Sequence, residues 1–282
     1  MSEASADVAE DIAETIDSIP SLPEVTNRII SLVNDDSTPI EDIERAIRMD
    51  QSLSAAVLRF ANNSTPDQKG QISDLEQAIQ MLGLNKIRSI ALSYGMDQHY
   101  STSESRLFPR EEFWNYSLAV GICSELIAEK IGFTSNRKKQ AFSAGHLHCG
   151  GKAILDQHMH TEFEKILQTA RKNEIPMIKA EREVLGTTHC EIGARVLDNW
   201  NLPQALVKTC RYYIEPEKAD DKLVTVVHLA SVLTKSKDYG QSGDEFFDYL
   251  NEREVDKLRL DDDQLRRLLH SEFPHRYEKF KD

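Results

Sequence analysis

The sequence lacks several features that would place it in a familiar structural class. Its four cysteines, Cys123, Cys149, Cys190 and Cys210, are widely spaced and form no CxxC pair, which argues against a disulfide framework and against a zinc ribbon. No segment approaches the roughly 20 apolar residues that a membrane span requires. The N-terminus does not combine a basic start with an apolar stretch, as a secretion signal does. We therefore predict a cytoplasmic protein.

Positive charge is also in short supply. The chain carries 34 Lys and Arg against 47 Asp and Glu, a formal net charge of -13. Nucleic acid and anionic lipid are bound by clustered Lys and Arg, which displace counterions. The one dense basic run, residues 137–139, is typical of a solvated loop. The composition thus predicts neither a nucleic-acid partner nor a membrane partner.

Strand-like alternation is missing, whereas helical spacing recurs along the chain. Apolar residues repeat every three or four positions in residues 40–47, 53–60, 75–82 and 113–131, which predicts amphipathic helices. The apolar stretch 222–233 is too long for most strands and has helical neighbours, so we interpret it as a buried helix. No fixed-period repeat is present. The sequence therefore predicts a globular all-α protein.

Local signals mark the ends of one of these helices. Ser73 and Glu76 have the spacing of a capping box, and Gly83 stands where a left-handed C-terminal cap would be expected. The spacing predicts a helix that ends at Gly83. Elsewhere in the same half, we interpret Asp50 and Asn62 as capping or interhelical hydrogen-bond groups rather than ligand contacts.

A polar, serine-rich stretch at residues 97–110 interrupts the helical pattern and ends near a proline, as a connection between domains does. We place a boundary near residue 105. The predicted organisation is a flexible N-terminus, an N-terminal helical subdomain, a second helical subdomain and a C-terminal helical extension, with limits 1–14, 15–105, 106–235 and 236–282.

Residues 144–155 read AGHLHCGGKAIL, two histidines and a cysteine in an otherwise apolar stretch. His146 and His148 would project about 200° apart on a helix, so they cannot share a metal unless the helix ends there. We see no base beside Cys149 that would make it a nucleophile. Gly150 and Gly151 lack the strand and the remaining residues of a phosphate loop, so we interpret them as a helix break that allows close packing.

Long, ordered blocks of the sequence carry a family resemblance. They are IPSLPEV (19–25), IRMDQSLSAAVLRFANNS (47–64), ISDLEQAIQMLGLNKIRSIAL (72–92), FWNYSLAV (113–120), AGHLHCGGKAIL (144–155), EREVLGTTHCEIGARVLDNWNLP (181–203) and VVHLASVL (226–233). Together they resemble the HDOD family, the bacterial signalling branch of the HD-type metal-dependent phosphohydrolases, over roughly residues 15–235. The resemblance implies that the second subdomain is a degenerate HD-type helical fold.

The resemblance also implies where a metal site would lie. In catalytic HD proteins an early His, an adjacent His-Asp pair and a late Asp hold metal ions that activate water against a phosphoester. The corresponding positions here, with those of a further His pair found in better preserved relatives, are Tyr116, His148, Cys149, Tyr213, Ile214 and Ser231. Only His148 is retained as a ligand. Loss of the carboxylates and imidazoles removes most of the negative charge that would hold a cation, so we predict a vestigial site with no catalytic residue, metal or cofactor.

A different metal site remains an alternative, because Zn²⁺ favours thiolate and imidazole donors. The candidate donors are His146, His148, Cys149, His189 and Cys190. We favour a structural role for His189, with a hydrogen bond across helices.

The resemblance implies a non-catalytic regulatory or signal-transduction module whose partners are signalling proteins. The alternative is a metal-dependent phosphohydrolase acting on a nucleotide or cyclic dinucleotide. A third reading is a nucleotide bound weakly without turnover.

Overall fold

The computed structural model describes residues 12, 14, 24–35, 37–63, 72–97, 107–200, 202–237, 239–246 and 250–281. Within these residues the regular structure is helical and no β-strand occurs, which confirms the predicted all-α fold. The predicted flexible segment 1–14 lies outside the described residues except at positions 12 and 14. Among the described helices, none has both the length and the apolar character that crossing a membrane demands.

The chain forms two compact units, Ser21–Tyr100 with Pro274–Asp282, and Met1–Pro20 with Ser101–Phe273. The second unit therefore runs on beyond residue 235, where the sequence predicts a separate extension. The domain limits given above stay a prediction.

Four helices make up most of the first unit: α1 (Glu24–Asn34), α2 (Ile40–Arg48), α3 (Gln51–Asn63) and α4 (Leu75–Asp97). Their apolar faces meet in a core that includes Ile29, Ile43, Leu53 and Ile79, each at most 1% exposed. The helical spacing read from the sequence therefore corresponds to one buried surface.

Two polar side chains of this unit form hydrogen bonds, as predicted for Asp50 and Asn62. Asp50 Oδ1 accepts from the backbone N–H of Leu53 at 2.9 Å and from the Tyr94 hydroxyl at 2.8 Å. Asn62 Nδ2 donates to the Ile72 carbonyl oxygen at 2.8 Å, and Asn62 Oδ1 accepts from the Ile72 backbone N–H at 3.1 Å. Asp50 thus caps α3 and ties it to α4.

The next helix has the predicted end but not the predicted start. The side chain of Asp74, not Ser73, accepts from the backbone N–H of Gln77 at 3.0 Å, so the N-cap lies one residue later. Gly83 has non-helical angles, φ 74° and ψ 160°, and separates two helical segments within α4. The first segment therefore ends at Gly83 as predicted, although the ψ angle differs from that of a left-handed cap; a glycine suits the position because it has no Cβ to oppose a positive φ.

The second unit contains most of the remaining α-helices. They are α5 (Arg110–Lys130), α6 (Ser135–Leu147), α7 (Gly150–His158), α8 (His160–Asn173), α9 (Met177–Leu185), α10 (His189–Asn199), α11 (Gln204–Tyr212), α12 (Lys222–Lys235), α13 (Glu252–Val255) and α14 (Asp262–Arg267). The last helix, α15 (Phe273–Lys281), belongs to the first unit except for Phe273. The apolar stretch 222–233 is indeed a buried helix.

Glycines let the helices around the candidate site approach closely. A Cβ added at Gly145 would lie 2.5 Å from Ser124 Oγ and 2.8 Å from the Val120 carbonyl oxygen, and one added at Gly151 would lie 2.0 Å from the His189 carbonyl oxygen. The first contact joins α6 to α5, and the second joins α7 to α10. The interpretation of the glycine pair as a packing element, not a phosphate loop, agrees with this geometry.

Candidate functional site

The positions implied by the resemblance converge inside the second unit. Helix α6 ends at Leu147, so His148 and Cys149 lie in the short junction before α7. The His148 ring lies 5.6 Å from the Tyr116 ring and 4.6 Å, edge-on, from the Tyr213 ring, centroid to centroid. The Tyr116 hydroxyl donates to the Ser231 carbonyl oxygen at 3.5 Å. We call this group the cleft residues: Tyr116, His148, Cys149, Tyr213 and Ser231.

Ile214, the sixth predicted position, follows Tyr213 and is half-buried. The cleft residues themselves are all buried. Aromatic rings therefore occupy much of the space between α5, the α6–α7 junction and the end of α11.

His148 is held neutral. Its Nδ1 donates to the Gly145 carbonyl oxygen at 2.6 Å, so the proton is on Nδ1 and the lone pair is on Nε2. Nε2 is buried and has no hydrogen-bond partner within the described part of the chain. Burial lowers the pKa of His148 well below its usual value, and the nearby Lys152, His189 and Lys235 add to the effect. The site thus offers one imidazole lone pair.

Cys149 is also neutral. Its Sγ lies 3.6 Å from the Ser117 hydroxyl. Burial raises the pKa of the thiol, although the charges of Lys152 and Lys235 oppose part of the rise. A protonated, buried thiol is a poor nucleophile and a poor metal ligand.

Two lysine ammonium groups lie at the site, and neither lysine is among the site residues predicted from the sequence. Lys152 is buried and donates from Nζ to the Ser242 carbonyl oxygen at 3.0 Å. Lys235 Nζ lies 3.5 Å from Asp244 Oδ2. The spacing in the sequence indicates both lysines. Lys152 follows Cys149 by three residues and Lys235 follows Ser231 by four, so each lysine lies one helical turn from a predicted ligand position.

These groups do not fit a divalent metal ion. The Tyr116 phenol is committed to a carbonyl, the Cys149 thiol keeps its proton, and only His148 Nε2 presents a lone pair. Two ammonium charges nearby would repel a cation. In the described residues no group of three or more His, Cys, Asp or Glu side chains could hold a metal, which also leaves the alternative zinc site without a donor cluster there.

His189 lies beside the cleft in a buried network. Its Nδ1 donates to Glu181 at 2.7 Å, its backbone N–H donates to the same carboxylate at 3.0 Å, and its Nε2 lies 2.7 Å from the Tyr213 hydroxyl. Both Glu181 and His189 are fully buried. The network joins α9 and α10 to the residue that follows α11, and it holds the Tyr213 ring against His148.

His146 lies among aromatic rings of α5 and α6. It stacks on Phe142 with 6.0 Å between centroids and lies 6.4 Å from Trp114. Burial lowers its pKa to about 4, and a hydrogen bond to the Ser117 backbone opposes part of the shift. His146 and His148 thus have separate surroundings, as their spacing predicts.

The buried histidines make stability depend on pH. The pKa of a histidine in the unfolded chain is about 6.5, and burial lowers the folded-state values of His146, His148 and His228. The unfolded state therefore takes up protons first, so the stabilisation is complete above pH 6.5 and is lost as the pH falls toward the folded values. His146 alone should contribute a loss of about 2 kcal/mol between about pH 7.5 and pH 5.

Urea unfolding at the two pH values measures this loss. His146→Leu should shrink the difference between them by about 2 kcal/mol, whatever its effect at neutral pH. An unchanged pH difference in the variant would contradict the assignment to His146.

The described residues form an all-α protein in which Tyr116, His148 and Tyr213 lie together inside the second unit. The HDOD domain family matches residues 19–216. The chain therefore belongs to the HDOD family.

Two curated proteins are similar to this chain at low sequence identity. An uncharacterized protein of Treponema pallidum (strain Nichols) is 22% identical over 234 residues, which are 82% of this chain and 45% of that protein. The cyclic di-GMP phosphodiesterase CdgJ of Vibrio cholerae serotype O1 (strain ATCC 39315 / El Tor Inaba N16961) is 29% identical over 147 residues, 51% of this chain and 31% of that protein. The chain spans less than half the length of these curated relatives.

Among solved structures, an HDOD domain protein of unknown function from Geobacter sulfurreducens superposes with a TM-score of 0.77. The two are 23% identical, and the match covers 99% of this chain and 98% of that chain. This likeness shows that they share the fold.

Proposed function

We propose that this HDOD chain is a non-catalytic regulatory module that acts, in the cytoplasm, by binding other signalling proteins. The observation that carries the proposal is the chemistry of the cleft. A phosphohydrolase site needs several anionic or imidazole donors at one point and an open metal position. The cleft instead has one neutral imidazole, a protonated thiol, two tyrosines and two ammonium groups.

A binding role is supported by the surface of the first unit. Large hydrophobic side chains that are exposed include Met49, Phe60 and Met81 in that unit, and Met49 is 75% exposed. A large apolar side chain that stays in water gains free energy when a partner covers it.

Measurement of bound metal and of phosphodiester hydrolysis with added Mn²⁺ tests the proposal. The unmodified chain should contain metal far below one equivalent and show no turnover above the buffer rate. Cys149→Asp alone should not change this, because Tyr116 and Ser231 still stand where donors are needed. The triple variant Tyr116→His, Cys149→Asp, Ser231→Asp is the smallest change expected to increase metal binding.

The opposite result would favour the phosphohydrolase alternative. Mn²⁺-dependent turnover by the unmodified protein, abolished by His148→Ala, would show that the cleft is a working site. A nucleotide bound without turnover would instead appear as thermal stabilisation by that nucleotide.

Binding through the first unit has its own test. Met49→Lys should weaken association with the native partner, whereas Leu250→Lys should not, because Leu250 is an exposed hydrophobic residue of the second unit. The partner is first identified by cross-linking and purified, and the affinity of the unmodified protein and of each variant for it is then measured. An equal loss of affinity in both variants, or no loss in either, would contradict a role for Met49 in binding.

A further inference from the structure

A short segment of the second unit, residues 240–245, packs directly on the cleft; we call it the plug. Its first residue, Gly240, has a φ of 80°, and a Cβ there would lie 2.3 Å from the Glu112 carbonyl oxygen and 2.5 Å from the Tyr116 backbone nitrogen. The next residue, Gln241, donates its backbone N–H to Glu112 at 3.0 Å. The plug backbone thus lies against α5 at the turn that carries Tyr116, with no room for a side chain between them.

The two ammonium groups of the site hold the plug in place. The Ser242 carbonyl oxygen accepts from Lys152 at 3.0 Å, and the Asp244 carboxylate lies 3.5 Å from Lys235. Lys152 is 2% exposed, so its charge is compensated inside the protein. The backbone N–H of Lys152 donates to the Cys149 carbonyl oxygen at 3.0 Å, so this anchor of the plug is one helical turn from Cys149.

The last residues of the plug, 243–245, also make close contacts. Gly243 has a φ of 73°, and a Cβ there would lie 2.6 Å from the Phe108 ring. Asp244 Oδ1 accepts from the backbone N–H of Met177 at 3.3 Å, and Glu245 pairs with Arg171 at 2.5 Å. Beside the plug a cavity of about 310 Å³ remains. It is lined by Leu107, Arg171, Lys235 and the plug itself.

We propose that the plug is an internal occupant of the cleft, an autoinhibitory contact that presents a carbonyl and a carboxylate to Lys152 and Lys235 and excludes solvent from His148 and Cys149. An anion in the cleft would meet the same two amines, so plug and ligand would compete for them. The cleft opens only when the plug leaves. This inference concerns access and does not depend on whether the module is catalytic.

The thiol of Cys149 reports on opening, because it is free and buried in the folded protein. Maleimide labelling of the native protein, mapped by peptide mass spectrometry, gives the rate at Cys149 relative to Cys190, which lies on α10. Gly240→Ala forces a Cβ onto the backbone of α5 and should displace the plug. Labelling at Cys149 relative to Cys190 should rise about ten-fold or more, as expected for easier local opening.

A matched control separates displacement from backbone strain. Gly186 also has a positive φ, 71°, but a Cβ there meets no atom within 4 Å. Gly186→Ala should leave the relative labelling of Cys149 unchanged.

Lys152→Met provides an independent variant that removes an anchor without a clash. Lys152→Met should also raise the labelling of Cys149 relative to Cys190. If Gly240→Ala loses its cooperative thermal transition, and so does not fold, the result for Lys152→Met alone tests the inference. Equal relative labelling of Cys149 in the unmodified protein and in Lys152→Met would overturn the inference.

Discussion

Glu181→Ala is expected to lower the free energy of unfolding by about 3–5 kcal/mol, the cost of leaving a buried charged or polar partner uncompensated. Glu181 is fully buried and accepts from both the ring and the backbone N–H of His189. Without the carboxylate, two donors inside the protein lose their acceptor. Because His189 also contacts Tyr213, the wall of the cleft should loosen.

The neighbouring residue supplies the control. Arg182 pairs with Glu215 at 3.1 Å, with 49% and 33% of the two side chains exposed. Arg182→Ala should change the free energy of unfolding by only about 0–1 kcal/mol, since exposed ion pairs are screened by water. Denaturant unfolding of both variants tests the contrast. A loss in Glu181→Ala no larger than that in Arg182→Ala would contradict the structural role of the buried network.

Gly151→Ala is expected to lower the free energy of unfolding by at least about 3 kcal/mol, the upper part of the range for overpacking. The added Cβ would lie 2.0 Å from the His189 carbonyl oxygen and 2.8 Å from the Gly193 nitrogen. Both are backbone atoms of α10, so neither can move without shifting that helix away from α7. His148 and Cys149 precede α7 directly and should move with it.

Two other glycines allow a graded comparison. At Gly145 the added Cβ would meet the rotatable hydroxyl of Ser124 at 2.5 Å, and at Gly121 the nearest atom is the Phe142 carbonyl oxygen at 3.0 Å. Thermal unfolding should rank Gly151→Ala as the most destabilised and Gly121→Ala as the least, because the alanine preference of a helix, about 1 kcal/mol, offsets a mild contact. A reversed order would show that α7 and α10 can separate freely.

Much of the fold could be read from local patterns. The helices around Ile43, Leu53 and Ile79 were predictable because an apolar stripe of period 3.6 has one stable solution, a helix with that face buried. Helix ends were less predictable. Asp74 instead of Ser73 caps α4, since several neighbouring residues can satisfy the same local signal and packing selects among them.

The candidate site divides in the same way. The family resemblance places Tyr116, Cys149 and Ser231 at the metal-ligand positions of catalytic HD proteins, a prediction that rests on residue types alone. The positions of Lys152 and Lys235 on helical turns next to the site were also visible, but not the direction in which their long side chains extend. That direction depends on which groups compensate the charge.

The sequence by itself determined the all-α fold and the family resemblance, because each follows from residue types and spacings within single helices. Only the tertiary structure decided what fills the cleft. The carbonyl of Ser242 and the carboxylate of Asp244 reach Lys152 and Lys235 from a segment distant in sequence from Lys152, and Glu181 meets His189 across a helix boundary. Such pairings arise because buried charges and donors must find partners wherever packing brings them, and a linear pattern does not specify those neighbours.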